Sequence, residues 1–303
     1  MTRASAALKL CLVDMNNGVA NEATRCFRRL FEGFSAEVRA ANPGLDVTLQ
    51  HVQPRNLGEL PARDVDLVLS SGGPGAPTDG YEDPWCTGYR NFVDDIVESN
   101  LRGGAGAPAM FVVCHSFEIC VQHFQVARMG RRETLKFGVF PAYVTKDGAQ
   151  STLFQPFSDG RLFTWEHRSW EAVDLDAKRL RELGGKLLAT ESREGGADKG
   201  RGLMSFAFAP GVLGTQFHPE ADRPGVMAWV QKRDHSDALR EAYGHELHGR
   251  MLRTLSDPLR LARTYALAIP GWLAHRFNHL AEARGLRKIP LPHLDASLFE
   301  AVG

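Results

Sequence analysis

Cys114, His218 and Glu220 are the side chains here whose types suit nucleophilic catalysis, provided that the fold brings them together. Cys114 closes the apolar run Ala109-Met110-Phe111-Val112-Val113, which has the length of a buried strand. His115 and Ser116 follow at once, and Phe117, Cys120, Val121 and Phe124 then repeat at a spacing that suits one face of a helix. A thiol at a strand-to-helix turn projects from the backbone and meets the positive end of the helix. The next backbone N–H lies beside it, ready for a developing oxyanion. An isolated cysteine is more often a small core residue, so the weight falls on two further stretches. Ser70-Ser71-Gly72-Gly73-Pro74-Gly75 follows another apolar run, and its glycines let the main chain approach a ligand and present N–H groups. Gln216-Phe217-His218-Pro219-Glu220 ends the last strand-like run. Pro219 biases His218 toward extended geometry, where positions i and i+2 face the same way, so Glu220 can orient the His218 ring. A thiol, an imidazole and a carboxylate that orients it form a nucleophile, base and orienter set.

The elements that must position these groups follow from the apolar patterning. Strand-like runs at Leu8–Val13, Val47–Val52, Val65–Leu69 and Ala109–Val113 alternate with helical spacing over 21–40, Tyr89–Leu101 and 116–128. This order predicts an α/β chain, a flavodoxin-like open and mostly parallel sheet with helices on both faces. Ligands collect at the carboxyl ends of such strands, where both the glycine stretch and Cys114 fall. From about residue 138 the pattern is richer in strands: Gly138–Lys146, Arg161–Trp165, Lys186–Thr190, Leu203–Ala209 and Val212–Phe217. Segments 226–256 and 256–285 read as helices, with Ser256-Asp257-Pro258 as a start, Gly285 as a stop and Pro270-Gly271 as a break. The expected division is a domain over 8–230 and a C-terminal helical extension over 231–303.

The chain has 303 residues, long enough for a full core, and its 36 basic and 36 acidic residues balance. No basic excess points to nucleic acid or a membrane surface, no apolar run is long enough to span a bilayer, and the N-terminus does not read as a signal peptide. The five cysteines show no metal-like pairing, which suits a reduced, cytoplasmic protein with Cys11, Cys26 and Cys120 in the core. The histidines between 235 and 279 lack a clustered carboxylate or cysteine partner, so no metal is expected, and no cofactor either.

The three motifs, in this order and spacing, resemble the class I glutamine amidotransferase family over roughly residues 8–230, and are similar to the amidotransferase domain of GMP synthase. That family pairs S-G-G-P-G with a G-x-C-x-G elbow and a late H-P-E. Thr164–Val173, which contains His167, is similar to the family's segment with a loop histidine, and Tyr81-x-x-Pro84-Trp85 to its stretch after the glycine loop. The resemblance implies that Cys114 attacks the side-chain amide of glutamine or a γ-glutamyl amide to give a thioester. His218 then moves the proton, Glu220 holds the imidazole, and the N–H groups of Gly73 and His115 form the oxyanion hole. Ser116, Glu118 and His167 are the substrate-side candidates.

Four positions depart from the family pattern. Val112 and Ser116 replace the elbow glycines, His115 stands where an apolar residue is usual, and Glu118 where glutamine is common. A carboxylate at 118 accepts hydrogen bonds from an ammonium group and, when ionised, donates none to a carboxylate, which points to a substrate other than glutamine in its usual pose. No phosphate-binding G-x-x-x-x-G-K-[ST] motif is present, so a synthetase that uses released ammonia would be a separate subunit, with the helical tail as a docking element. The alternatives are a stand-alone γ-glutamyl hydrolase or peptidase, a cysteine acyltransferase, and a binding module that keeps the fold without catalysis.

Overall fold

In a computed structural model, the structure describes residues 7–19, 21–104, 106–192, 202–257 and 259–293. The elements run β1 (Ala7–Val13), α1 (Glu22–Ala41), β2 (Asp46–Val52), α2 (Pro54–Leu57), β3 (Leu67–Ser70), α3 (Pro84–Leu101), β4 (Ala109–Val113), α4 (His115–Phe124) and β5 (Arg128–Val144). They continue as α5 (Lys146–Ala149), β6 (Arg161–Val173), α6 (Ala177–Glu182), β7 (Lys186–Thr190), β8 (Leu203–Ala209), β9 (Val212–Thr215), α7 (Arg223–Gln231), α8 (Arg233–Ser256) and α9 (Leu261–Arg284).

These strands form one sheet in the order β2-β1-β3-β4-β9-β8-β7-β5-β6. The first five are mutually parallel and the rest join antiparallel, so β9 is the seam, parallel to β4 and antiparallel to β8. The expected α/β class and mostly parallel arrangement hold for the half that carries Cys114.

Strand alternation sorts the core into two layers. On β1, Leu8, Leu10 and Leu12 join Phe27, Phe31 and Phe34 of α1, while Cys11 and Val13 join Tyr89, Phe92 and Val93 of α3 and Phe117 and Val121 of α4. Helix α1 starts cleanly because the Asn21 side chain accepts the N–H groups of Ala23 and Thr24. A third cluster packs Val226, Val230, Met251 and Leu255 of α7 and α8 onto Phe137 and Val139 of β5.

Several boundaries differ from the sequence expectation. Strand β5 begins at Arg128 rather than 138, and β6 runs on to Val173, so the segment expected as a loop around His167 is paired strand. Arg132, within β5, is partly buried and ion-paired with Glu171 and Glu191. Helix α9 begins at Leu261; Pro258, part of the expected start, lies outside the described residues. Pro270 does not break α9, because apolar residues on both sides of it, Leu267 to Ile269 and Trp272 to Ala274, pack on the sheet and hold the helix continuous. Gly285 ends it in the left-handed region (φ 65°), as glycine permits.

The helix drawn as part of a separate extension also shares the sheet's core. Trp272 meets Phe111 of β4 edge-on with ring centroids 5.5 Å apart, and Phe277 meets Phe34 of α1 at 5.9 Å. Arg284 pairs with Asp66, and the Asn42 side chain exchanges hydrogen bonds with the backbone of Arg287. No helix among the described residues is long and apolar enough to cross a membrane.

Candidate active site

Adjacent parallel strands bring the nucleophile and base candidates to one edge. In the β4–β9 pair, Val113 lies opposite Thr215, and the Cys114 N–H donates to the Thr215 carbonyl at 2.9 Å. Cys114 has φ 51° and ψ −105°, a conformation rare for a residue with a Cβ, and α4 begins immediately after it. The turn therefore points the thiol away from both elements that flank it, and only 7% of Cys114 is exposed.

Past β9 the chain bends at Gln216 and Phe217, bridges to β6 at His218 and turns at Pro219 and Glu220. The His218 N–H donates to the Trp165 carbonyl of β6 at 3.0 Å. His218 Nδ1 lies 2.7 Å from Glu220 Oε1, and Glu220 is buried with its Oε2 unpartnered. A methyl group built on Gly72 would lie 3.0 Å from Cys114 Cβ, 3.7 Å from its Sγ and 3.0 Å from His218 Cε1, so thiol and imidazole face each other across that glycine. Burial acts to lower the His218 pKa, but the Glu220 carboxylate and then the Cys114 sulfur outweigh it and raise the value well above the usual histidine range.

The glycine loop closes the third side. A Cβ at Gly73 would fall 2.1 Å from the Met15 carbonyl oxygen, so only glycine fits there. Among the described residues, no amide from Gly72 to Gly75 donates to a backbone acceptor. The expected donor pair, the amides of Gly73 and His115, therefore sits on a loop beside Cys114 and on the first residue of α4.

The structure resolves the departures at the elbow. Val112 replaces an expected glycine because its β9 neighbour is Gly214, where a Cβ would lie 2.3 Å from Val112 Cγ2. The small residue has moved across the strand pair. Ser116, a substrate-side candidate, is buried and bonded to protein instead. It donates to the Ser71 carbonyl at 2.6 Å and lies 2.7 Å from Ser70 Oγ, which also receives the Tyr89 hydroxyl at 2.9 Å. Ser116 thereby ties the elbow to the glycine loop. His167 is exposed on β6, two residues beyond Trp165, with its ring between Phe137 and Trp229 at 5.9 and 5.8 Å.

Glu118 is buried and accepts a hydrogen bond from Gln216 Nε2 at 2.9 Å. Its other oxygen is 3.6 Å from Nδ1 of His115, a buried ring with no hydrogen bond at either nitrogen. The sequence analysis placed Ser70, Ser71, Gly72 and Gln216 within its motifs but gave none of them a role of its own, and it gave no sign of Tyr89 as part of this assembly. No cluster of three His, Cys, Asp or Glu side chains that could hold a metal occurs among the described residues.

A mixed sheet whose parallel half is covered by helices on both faces is a fold this chain shares with glutamine amidotransferases. Among solved structures, the chain is similar to a glutamine amidotransferase from Methylobacillus flagellatus (TM-score 0.61, 15% identity, 95% of this chain and 99% of that one). It is likewise similar to a glutamine amidotransferase from Thermotoga maritima (TM-score 0.56, 12% identity, 93% and 99%). A third is the glutaminase domain of Trypanosoma brucei CTPS with bound acivicin (TM-score 0.51, 16% identity, 70% and 86%). No protein-family model matches the sequence, and no curated protein is found similar to it.

Proposed function

We propose that the protein is a class I glutamine amidotransferase-type amidase that works through a Cys114 thioester. The observation that carries this reading is the joint geometry of a thiol at φ 51° ahead of a helix and an imidazole across Gly72 whose Nδ1 is 2.7 Å from a buried carboxylate. Cys114 attacks the amide carbonyl while the N–H groups of Gly73 and His115 receive the oxyanion. His218 gives its proton to the leaving amine, then draws one from water so that the thioester breaks to the acid and free thiol. Glu220 keeps Nδ1 protonated and the ring aimed at Cys114.

Glu118 and His115 favour a substrate other than free glutamine in its usual pose. Two polar side chains, one acidic, lie within the first turn of α4 beside the nucleophile, and Gln216 already occupies one Glu118 oxygen. A γ-glutamyl amide whose ammonium group meets Glu118 fits this charge, and the chain then acts as a stand-alone γ-glutamyl hydrolase. Delivery of ammonia to a separate synthetase subunit is the competing version, and the neighbour described as a glutaminase domain is its support. The test is release of glutamate, ammonia or amine from glutamine and a panel of γ-glutamyl amides, by wild type and Cys114→Ala. Turnover by wild type alone supports the reading. Equal turnover by Cys114→Ala refutes it, as does a Cys114 no more reactive toward a glutamine-like electrophile than a free cysteine, the behaviour of a binding module. Glu118→Gln is expected to raise turnover of free glutamine.

A further inference from the structure

We infer that Arg55 is a positioning residue for the glycine loop, holding Gly73 where its amide can serve the reaction; this rests on the amidase reading above. Arg55 lies on the four-residue helix α2, outside every motif that points to chemistry. Its Nη1 donates to the Pro74 carbonyl at 2.6 Å and to the Met15 carbonyl at 3.1 Å. The same nitrogen would be 3.0 Å from a Cβ at Gly73, and Nη2 would be 3.4 Å from one at Gly75, so the guanidinium wraps both glycines.

The loop has little else to fix it. Ser71 is tied down by its N–H to the Val13 carbonyl at 2.9 Å and by the Met15 N–H to its hydroxyl at 2.9 Å. The Ser71 hydroxyl also donates to the Gly72 carbonyl at 2.8 Å, and the next anchor beyond Pro74 is the Ala76 N–H on Asp79 Oδ2 at 2.7 Å. Between them, among the described residues, the amides of Gly72 to Gly75 have no backbone acceptor. Gly72, Gly73 and Gly75 leave the chain free on either side of Pro74, whose ring fixes only its own φ. One cation bridging the carbonyl after Gly73 to the carbonyl that Gly73 packs against removes that freedom at its centre. Arg55 makes no ion pair among the described residues, and its guanidinium instead lies 5.7 Å from the centre of the Trp85 ring. Two charge-assisted bonds to backbone carbonyls are what this half-buried cation does.

The test compares Arg55→Met with Arg55→Lys in the full chain. Arg55→Met is expected to lower kcat by about 10–100-fold, as roughly 1 Å of misplacement can, with KM within about twofold. Alkylation of Cys114 by iodoacetamide forms no oxyanion and is expected to stay unchanged. Arg55→Lys, whose ammonium also donates to two carbonyls, is expected to recover part of the loss. Wild-type kcat in Arg55→Met overturns the inference. So does a loss of kcat matched by an equal loss of alkylation rate, which would report general damage. If the wild type itself turns over no amide, the function is refuted and hydrogen exchange decides the clasp alone. Faster exchange of the Ser71 and Ala76 amides, the bonded ones at the two ends of the loop, in Arg55→Met then supports the clasp, and unchanged exchange of both overturns it.

Discussion

Gly73→Ala is the sharpest probe of the proposed oxyanion site. The added methyl would lie 2.1 Å from the Met15 carbonyl oxygen and 2.8 Å from its carbon, where real Cβ contacts do not come inside about 3 Å. Something must move by about 1 Å. Met15 is itself held, since its N–H is bonded to Ser71 Oγ and its carbonyl to Arg55. The glycine loop gives way, and the Gly73 amide moves with it. Loss of one oxyanion donor costs on the order of 10²–10³ in kcat, or about 3–4 kcal/mol of transition-state stabilisation. Overpacking costs a further 1–3 kcal/mol or so of folding stability. The assay is steady-state release of glutamate or amine from the best γ-glutamyl substrate, with a thermal melt on the same sample. A large fall in kcat with a small fall in Tm is expected. Gly72→Ala serves as a contrast: its methyl would be 3.0 Å from both Cys114 Cβ and His218 Cε1, so it wedges the thiol from the imidazole and lowers alkylation of Cys114 as well. Gly73→Ala with kcat within about threefold of wild type would refute a donor role for this loop.

Other expectations follow from charge and packing. Glu220→Gln removes the carboxylate that raises His218, so the protonated imidazole is lost at lower pH, and the rate of Cys114 alkylation followed over about pH 5–10 should shift accordingly. Because the folded His218 pKa lies above the unfolded one, its stabilisation is complete below the usual histidine range and is lost as pH rises through the folded value; Glu220→Gln should flatten that part of the stability profile. For Glu191, burial pushes the carboxyl pKa up, but Arg168, Lys136 and Arg132 outweigh it and hold the value at about 2, against an ordinary 4.5. That difference corresponds to roughly 3 kcal/mol, present above about pH 4.5 and lost as pH falls toward 2. Glu191→Gln should therefore cost about 3–5 kcal/mol at neutral pH by denaturant titration, and less in acid. Trp272→Ala should cost about 3–5 kcal/mol by the same titration, and a chain ending at Asp257 should show no cooperative unfolding, because α9 completes one face of the core.

Much of the candidate site was legible in the sequence because its markers are local. Apolar runs of strand length ending at Cys114 and near His218, and a glycine stretch after a third run, announce strand ends without any knowledge of the sheet. All nine strands could be drawn from such runs. What stayed hidden depends on strand neighbours. Val112 reads as a fault in a tight elbow until Gly214 is placed beside it. Ser116 reads as a substrate contact until Ser70 and Tyr89 close around it. Arg55 has no local signature, since its partners are main-chain carbonyls that two other segments supply. Pro270 misleads for a different reason: intrinsic helix propensity disfavours it, and tertiary burial of the residues around it prevails.

The seam at β9 also sets which part of the chain must be in place before Cys114 meets its proposed base. Glu118 and Gln216 touch although 98 residues separate them, and His218 lies two residues beyond Gln216. A nascent chain that has emerged only through β8 carries Cys114 without His218 and Glu220. The proposed activation of the thiol therefore requires a four-residue strand to slot between β4 and β8. In a variant that keeps Cys114 and replaces Cys11, Cys26, Cys86 and Cys120, a thiol-directed fluorophore added during refolding is expected to report the pairing of that single strand.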